Sequence, residues 1–123
     1  MAPRSVLPLV SVIIPTMAST ARSSLLKRAV ESIRNSSKYP VKIIVVVNGN
    51  RFDPAVCDWL KVQPDIEFEY VARPSAPGAV LRGREMVKTE FFSALDDDDE
   101  YLPDATDRKL AVLRAESEAD LVV

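Results

Sequence analysis

Apolar runs alternate with stretches of helical periodicity along most of this chain. Residues 10–14 form a run rich in β-branched side chains, and residues 42–47 form a second apolar run. Between them, over residues 22–36, the apolar side chains recur on one face of a helix. Strands joined by crossover helices produce this alternation, and they assemble into a mostly parallel sheet. The sequence therefore predicts an α/β fold.

The remaining elements follow from local signals. Asp53 and Pro54 predict the start of a short helix, because aspartate favours the N-cap and proline the first helical position. Pro15 predicts the end of the first strand, since proline cannot donate to a central ladder. The other predicted elements are a half-exposed edge strand at 66–71, a loop at 73–78, a short helix to about 87, a buried strand at 91–95, a helix over 103–116 and the start of another strand at 120–123.

The composition excludes several classes of protein. A chain of 123 residues has room for one domain. We place that domain at residues 10–123, after an N-terminal extension at 1–9. Its net charge of −2 offers no broad basic surface for nucleic acid. The longest uninterrupted apolar run is about five residues, against the roughly 20 that a transmembrane helix needs. The single cysteine, Cys57, cannot form an intramolecular disulfide, so we expect a reduced, cytoplasmic setting.

The densest group of candidate ligands is a run of four aspartates at residues 96–99, followed by Glu100. The chain contains no histidine, which excludes imidazole bases, histidine-ligated zinc and Ser-His-Asp systems and leaves the chemistry to carboxylates. Each close pair of like charges costs roughly 1 kcal/mol in water, so a divalent cation would offset the cluster. Mg²⁺ or Mn²⁺ suits it, since Mg²⁺ combines one or two protein carboxylates with the oxygens of a substrate phosphate. The alternative is a solvated acidic loop ahead of a helix whose dipole favours negative charge.

Two other predicted strand ends favour the metal-site interpretation. Pro15 and Thr16 follow the first strand, and Asn48 follows the second. The carboxyl ends of parallel strands meet at one edge of a sheet, where ligands of open α/β sheets bind. The sequence therefore predicts that these residues and the aspartates share one site, and that its ligand is a diphosphate.

With these features the chain resembles the inverting glycosyltransferases of family 2, which have the GT-A fold. The resemblance extends from residue 10 to the end and rests most specifically on the segment LDDDDEYLP, which has the form leucine, Asp-x-Asp-Asp and a nearby proline. The segments that support it more weakly are VSVIIPT at 10–16, the helix around 26–33 and KIIVV at 42–46.

The resemblance implies a three-layer, Rossmann-like fold and a metal-dependent transfer of a sugar, with inversion, from a nucleotide-diphosphate sugar to a hydroxyl. The acceptor would be a glycan, a lipid-linked molecule or another hydroxyl compound, and peripheral association with a membrane would be compatible with it. The family takes its catalytic base from the second half of the domain. We therefore expect this chain to be a donor-binding half, truncated after its first half, with the base beyond Val123 and little transfer activity of its own.

The resemblance also assigns roles to individual residues. Pro15 and Thr16 would border the nucleotide, and Asn48 would lie beside its base. The aspartates divide between the nucleotide sugar and the metal: Asp96 would face the ribose or the metal, Asp97 would bind the nucleotide sugar, and Asp98 would be the principal metal ligand.

The sequence departs from the family pattern at two places. An acid that commonly contacts the base is replaced at Val47, which puts the identity of the base in doubt. The family's Ala-Arg-Asn segment is replaced by Val80-Leu-Arg-Gly-Arg84, where Arg82 and Arg84 could reach a pyrophosphate or could simply be solvated helix charges. A non-catalytic nucleotide-sugar-binding or interaction module therefore remains the alternative to an enzyme.

Overall fold

The computed structural model describes residues 8–115 as a four-stranded sheet with helices on both faces. The elements are β1 (Val10–Thr16), α1 (Ser23–Arg34), β2 (Lys42–Asn48), α2 (Pro54–Lys61), β3 (Ile66–Val71), α3 (Ala76–Met86), β4 (Phe91–Ala94) and α4 (Ala105–Ala115). A short 3₁₀-helix, Thr20–Arg22, precedes α1. The predicted strand at 120–123 lies outside the described residues.

The strands are all parallel within the described residues, and their order is β3-β2-β1-β4. The chain moves outwards from β1 through β2 to β3 and then returns to the other side of β1. This reversal is the topological switch point at which open α/β sheets bind ligands, outside the carboxyl ends of the strands. The predicted α/β class with a parallel sheet is confirmed.

Two apolar layers cover the sheet. On one face, α1 and α2 pack on alternate residues of the two central strands, among them Val12, Ile14, Val45 and Val47. On the other face, α3 covers Ile13, Ile44 and Val46. The central strands are therefore buried on both sides, which is why they are nearly continuous apolar runs in the sequence.

The closest approach between a helix and the sheet is at Gly83 of α3. A β-carbon built there would lie 2.5 Å from Cγ2 of Ile13, inside the range of any normal contact. The glycine therefore lets α3 lie directly on β1, and it fixes the position of the loop that enters α3 at the carboxyl edge of the sheet.

Pro15 does not end the first strand, contrary to the prediction. β1 continues to Thr16, and Pro15 pairs in register with Val46 of β2. Backbone groups two residues apart point to the same side, and the carbonyl of Ile13 accepts from Leu95 on the β4 side. The nitrogen of Pro15, which carries no hydrogen, therefore points toward β4. Because β4 ends at Ala94, no hydrogen bond of the sheet is lost there.

Two helix starts and the burial of one strand also differ from the predictions. The segment predicted as a loop over 73–78 contains the first turn of α3, where Ser75 caps the helix by accepting from the amide of Gly78 at 3.0 Å. Helix α4 begins at Ala105 because Asp104, with φ of 64°, is left-handed. Strand β4 is half-exposed rather than buried, since within the described residues it pairs only with β1 and Phe92 faces solvent.

Candidate functional site at the carboxyl edge of the sheet

A cleft of about 430 Å³ opens at the carboxyl edge of the sheet. It lies where the ends of β1, β2 and β3 and the aspartate segment after β4 converge, and its volume is in the range typical of small-ligand sites. The residues that line it are Pro15, Thr16, Met17, Arg22, Asn48, Pro74, Ser75, Ala76, Asp96, Asp97 and Asp98.

The aspartates divide into one buried and three exposed residues. Asp97 is only 5% exposed, whereas Asp96, Asp98 and Asp99 are exposed. One carboxylate oxygen from each of these three lies within 4.8 Å of the others. Clustered carboxylate oxygens are the hard ligands that Mg²⁺ and Mn²⁺ prefer. The donor set therefore fits the predicted ions, and the exposed aspartates rather than the buried one supply it.

Asp97 is held by two partners from the other side of the cleft. The hydroxyl of Thr16 donates to its Oδ2 at 2.7 Å, and Nε of Arg22 donates to the same oxygen at 2.8 Å. Nη2 of Arg22 donates to Oδ1, which makes the ion pair bidentate. These bonds offset the cost of burying a carboxylate. Hydrogen bonding to Asp97, together with its charge, holds the pKa of Arg22 well above its ordinary value.

Helix α1 supports the rest of the aspartate segment. The guanidinium of Arg28 donates to the backbone carbonyl of Asp98 at 3.1 Å and lies 3.9 Å from the carboxylate of Glu100. One turn further along, the hydroxyl of Ser32 accepts from the amide of Tyr101 at 3.0 Å. The backbone that carries the three exposed carboxylates is therefore tied to a helix that packs on the central strands.

The ends of the strands are cross-linked on the opposite side of the cleft. The side-chain amide of Asn48 donates to the carbonyl of Thr16 at 3.1 Å, which joins β2 to β1. Gly49 follows with a left-handed backbone, φ of 82°, and a β-carbon there would lie 3.1 Å from Cβ of Pro74. This close approach brings the loop after β3 into the cleft wall.

The predicted site residues fall into two groups. The structure brings Pro15, Thr16, Asn48 and the aspartates at 96–98 together in the cleft. Arg82 and Arg84 do not line it. Arg82 pairs with Glu69 of β3 at 2.6 Å, and the guanidinium of Arg84 lies 4.5 Å from the ring centroid of Phe92. These partners lie on the sheet surface below the carboxyl edge.

The sequence analysis did not identify Arg22, Met17 or the entry to α3 at Pro74, Ser75 and Ala76, all of which line the cleft. Arg22 lies at the end of the 3₁₀-helix, 75 residues from Asp97, and no local pattern marks the pair. The entry to α3 does have a local signal. A serine followed two residues later by proline, as in Ser75-Ala-Pro77, is a favourable start for a helix and would have placed that helix end at the rim.

The fold and the cleft define a class: an α/β protein with an acidic cleft at the switch point of a parallel sheet. The model of the family described as "Glycosyl transferase family 2" matches residues 11–123, and the chain belongs to that family. The resemblance inferred from the sequence is thereby confirmed. No curated protein matches the chain at a significant level. Within the described residues, no helix is long and apolar enough to cross a membrane.

Proposed function

We propose that this glycosyltransferase family 2 domain binds a nucleoside-diphosphate sugar together with Mg²⁺ or Mn²⁺ and takes part in an inverting transfer of the sugar to an acceptor hydroxyl. The observation that carries the proposal is the cluster of three exposed carboxylates, two of which, Asp96 and Asp98, line a cleft at three strand ends. Such a cluster is electrostatically costly without a cation, and a diphosphate would complete the ligands of that cation.

The residues of the cleft divide into two roles in this proposal. Asp98 and Asp96 would hold the ion, with Asp99 close enough to contribute. Pro15, Thr16 and Asn48 would border the nucleotide from the ends of β1 and β2. Asn48 donates one side-chain N–H to the carbonyl of Thr16, so its second N–H and its carbonyl oxygen are the groups left to meet a base.

Asp97 has a different relation to the ligand. Its two oxygens accept three hydrogen bonds from Thr16 and Arg22, and little of its surface is open to the cleft. We infer that it contributes to the donor site by holding the aspartate segment rather than by contacting the sugar or the ion directly.

When bound, a divalent ion would stabilise the negative charge that develops on the departing diphosphate. The protein would position that diphosphate at the mouth of the cleft, against the exposed carboxylates and the ends of the strands. The acceptor hydroxyl must lose a proton as it attacks. The carboxylates that line the cleft of residues 8–115 are those of the aspartate segment, and we assign none of them to that proton transfer.

The proposal is tested by titrating uridine diphosphate and guanosine diphosphate against the protein with and without Mn²⁺. We expect one of them to bind in a manner that requires the ion. Asp98→Ala should weaken that binding by at least about tenfold, a loss comparable to those seen when metal-supporting residues are removed.

The matched control is Asp58→Ala, which removes an exposed aspartate from α2, on an element that does not line the cleft. It should bind like the wild type. Failure of both nucleotides to bind with Mn²⁺, or equal binding by the wild type and Asp98→Ala, would overturn the proposal. Nucleotide binding without sugar transfer by the longest available form of the protein would favour a binding module instead.

A further inference from the structure

The ion pair between Arg22 and Asp97 lies directly beside the exposed carboxylates. Arg22 reaches Asp97 from the 3₁₀-helix before α1, and its own side chain is one-third exposed to the cleft. Its Nη2 also lies 3.5 Å from Oδ2 of Asp98. One guanidinium therefore contacts both the buried aspartate and a residue of the exposed group.

In this arrangement Arg22 and a bound cation could compete for the carboxylate of Asp98. A guanidinium in full contact with Asp98 would neutralise the carboxylate and occupy the space where a cation would lie. In the structure the two shorter hydrogen bonds of Arg22 go to Asp97, and only the longer contact reaches Asp98. Parallel bonds to one carboxylate fix the guanidinium plane, because arginine and carboxylate match as two rigid forks.

Burial strengthens the hold of Asp97 on Arg22. Asp97 is almost enclosed, and the hydroxyl of Thr16 fixes the same oxygen that accepts from Nε of Arg22. Asp98 is more than half exposed, so water competes for its bonds. The guanidinium is therefore held more firmly by the buried carboxylate than by the exposed one.

We propose that Asp97 is a positioning residue that holds the Arg22 guanidinium away from Asp98 and so keeps the exposed carboxylates open to a divalent cation. The proposal rests on the metal site of the proposed function and assigns a task to two residues that do not ligate the ion. Without the negative charge of Asp97, Arg22 would turn to Asp98 and compete with the cation.

The test is a double-mutant cycle on Mn²⁺ affinity, with Asp97→Asn, Arg22→Gln and the double variant. Mn²⁺ is titrated with the protein alone and with the nucleoside diphosphate that binds the wild type. Two charges acting independently would give Asp97→Asn the same effect in either background. We expect the loss of affinity to be about fivefold larger with Arg22 present than with glutamine at position 22, the fold-change of an exposed ion pair of about 1 kcal/mol.

A second ion pair provides a matched control for folding. Arg34 and Asp65 form the same bidentate arrangement, with bonds of 2.8 and 2.7 Å, at the opposite edge of the sheet. Arg34→Gln and Asp65→Asn should lower the stability of the protein to a similar degree and leave Mn²⁺ affinity unchanged. Circular dichroism of every variant establishes that the fold is retained.

The outcomes separate this inference from the proposed function. Absence of Mn²⁺ binding by the wild type overturns the proposed metal site and the inference with it. Binding by the wild type with equal losses for Asp97→Asn in both backgrounds overturns the inference alone. If Asp97 only maintained the shape of the aspartate segment, Arg22→Gln would not restore affinity to Asp97→Asn, and that result would also overturn it.

Discussion

The hydroxyl of Thr16 joins β1 to the aspartate segment through a hydrogen bond. It donates to Asp97 at 2.7 Å and accepts from the amide of Ala18 at 3.0 Å. Thr16→Val keeps the shape, leaves the amide of Ala18 without an acceptor, and removes one of the three hydrogen bonds to Asp97. An unsatisfied buried group costs about 1–3 kcal/mol, and a hydrogen bond to a charged group contributes about as much. We expect urea denaturation to show a loss of about 2–3 kcal/mol.

Thr16→Ser is the matched variant, because it keeps the hydroxyl and removes only a methyl group. It should lose about 1 kcal/mol, through packing alone. Equal losses for the valine and serine variants would show that the hydrogen bonds of Thr16 contribute little.

The location of a single residue could be predicted only where its place at the end of a strand was enough to determine it. The aspartates, Thr16 and Asn48 are at strand ends, so a parallel sheet places them at one edge whatever the details of packing. The burial of Asp97 among four similar neighbours was not predictable, because it depends on Arg22 arriving from a distant turn. The pairing of β4 with β1 brings the two into contact, and that register is absent from the local sequence.

At the scale of elements, the pair of Arg34 and Asp65 ties the end of α1 to the start of β3. Hydrogen bonding to Arg34 holds the pKa of Asp65 below its ordinary value. A lowered folded-state pKa contributes stability above the unfolded value, near pH 4, and this contribution is lost as the pH falls through the folded value. Asp65→Asn should therefore cost about 1 kcal/mol at pH 7 and progressively less below pH 4.

Urea denaturation of the wild type and Asp65→Asn at pH 7 and pH 3 measures this change. Asp58→Asn serves as the control, since among the described residues Asp58 forms no ion pair. A difference between wild type and Asp65→Asn that stayed constant down to pH 3 would mean that the ion pair does not depend on the charge of Asp65.

The elements themselves followed from the sequence more closely than their ends did. Apolar patterns together with capping and proline signals identified every α-helix and strand in the described residues, because burial of one helix face or of both sheet faces leaves a local pattern. The 3₁₀-helix at Thr20–Arg22 was not predicted. Boundaries failed where tertiary context overrode a local rule. Pro15 remains in a strand because its neighbour β4 has already ended, and Pro77 lies in the first turn of α3, where no amide donor is needed.

Across the whole molecule, the parallel topology allowed the edge of the sheet that carries the cleft to be predicted. The order β3-β2-β1-β4 places the switch point beside β1, and the aspartate segment follows β4 at that point. The contribution of the loop after β3 was not predictable in the same way. It depends on Gly49 and Pro74 approaching closely, which is a property of the assembled edge.

The exposed carboxylates should destabilise the domain without metal and stabilise it when a metal ion is bound. Asp96, Asp98 and Asp99 repel one another without a cation, at roughly 1 kcal/mol for each close pair. Asp99→Asn removes part of that repulsion, so in EDTA it should raise the melting temperature by about 2–5 °C.

Saturating Mn²⁺ should reverse the order of the two proteins, because an ion that binds only the folded state stabilises it, by about 2.7 kcal/mol at one hundred times its Kd. The wild type keeps all three exposed carboxylates of the group and should gain more from the ion than Asp99→Asn does.

Glu90→Gln, which removes an exposed charge outside the cleft, should shift neither melting curve relative to the wild type. Scanning calorimetry in EDTA and in Mn²⁺ measures both effects. A wild type that is more stable than Asp99→Asn in EDTA would show that the acidic segment is already compensated, by Arg22 at Asp98 and by Arg28 at Glu100, and that the cluster does not require a cation.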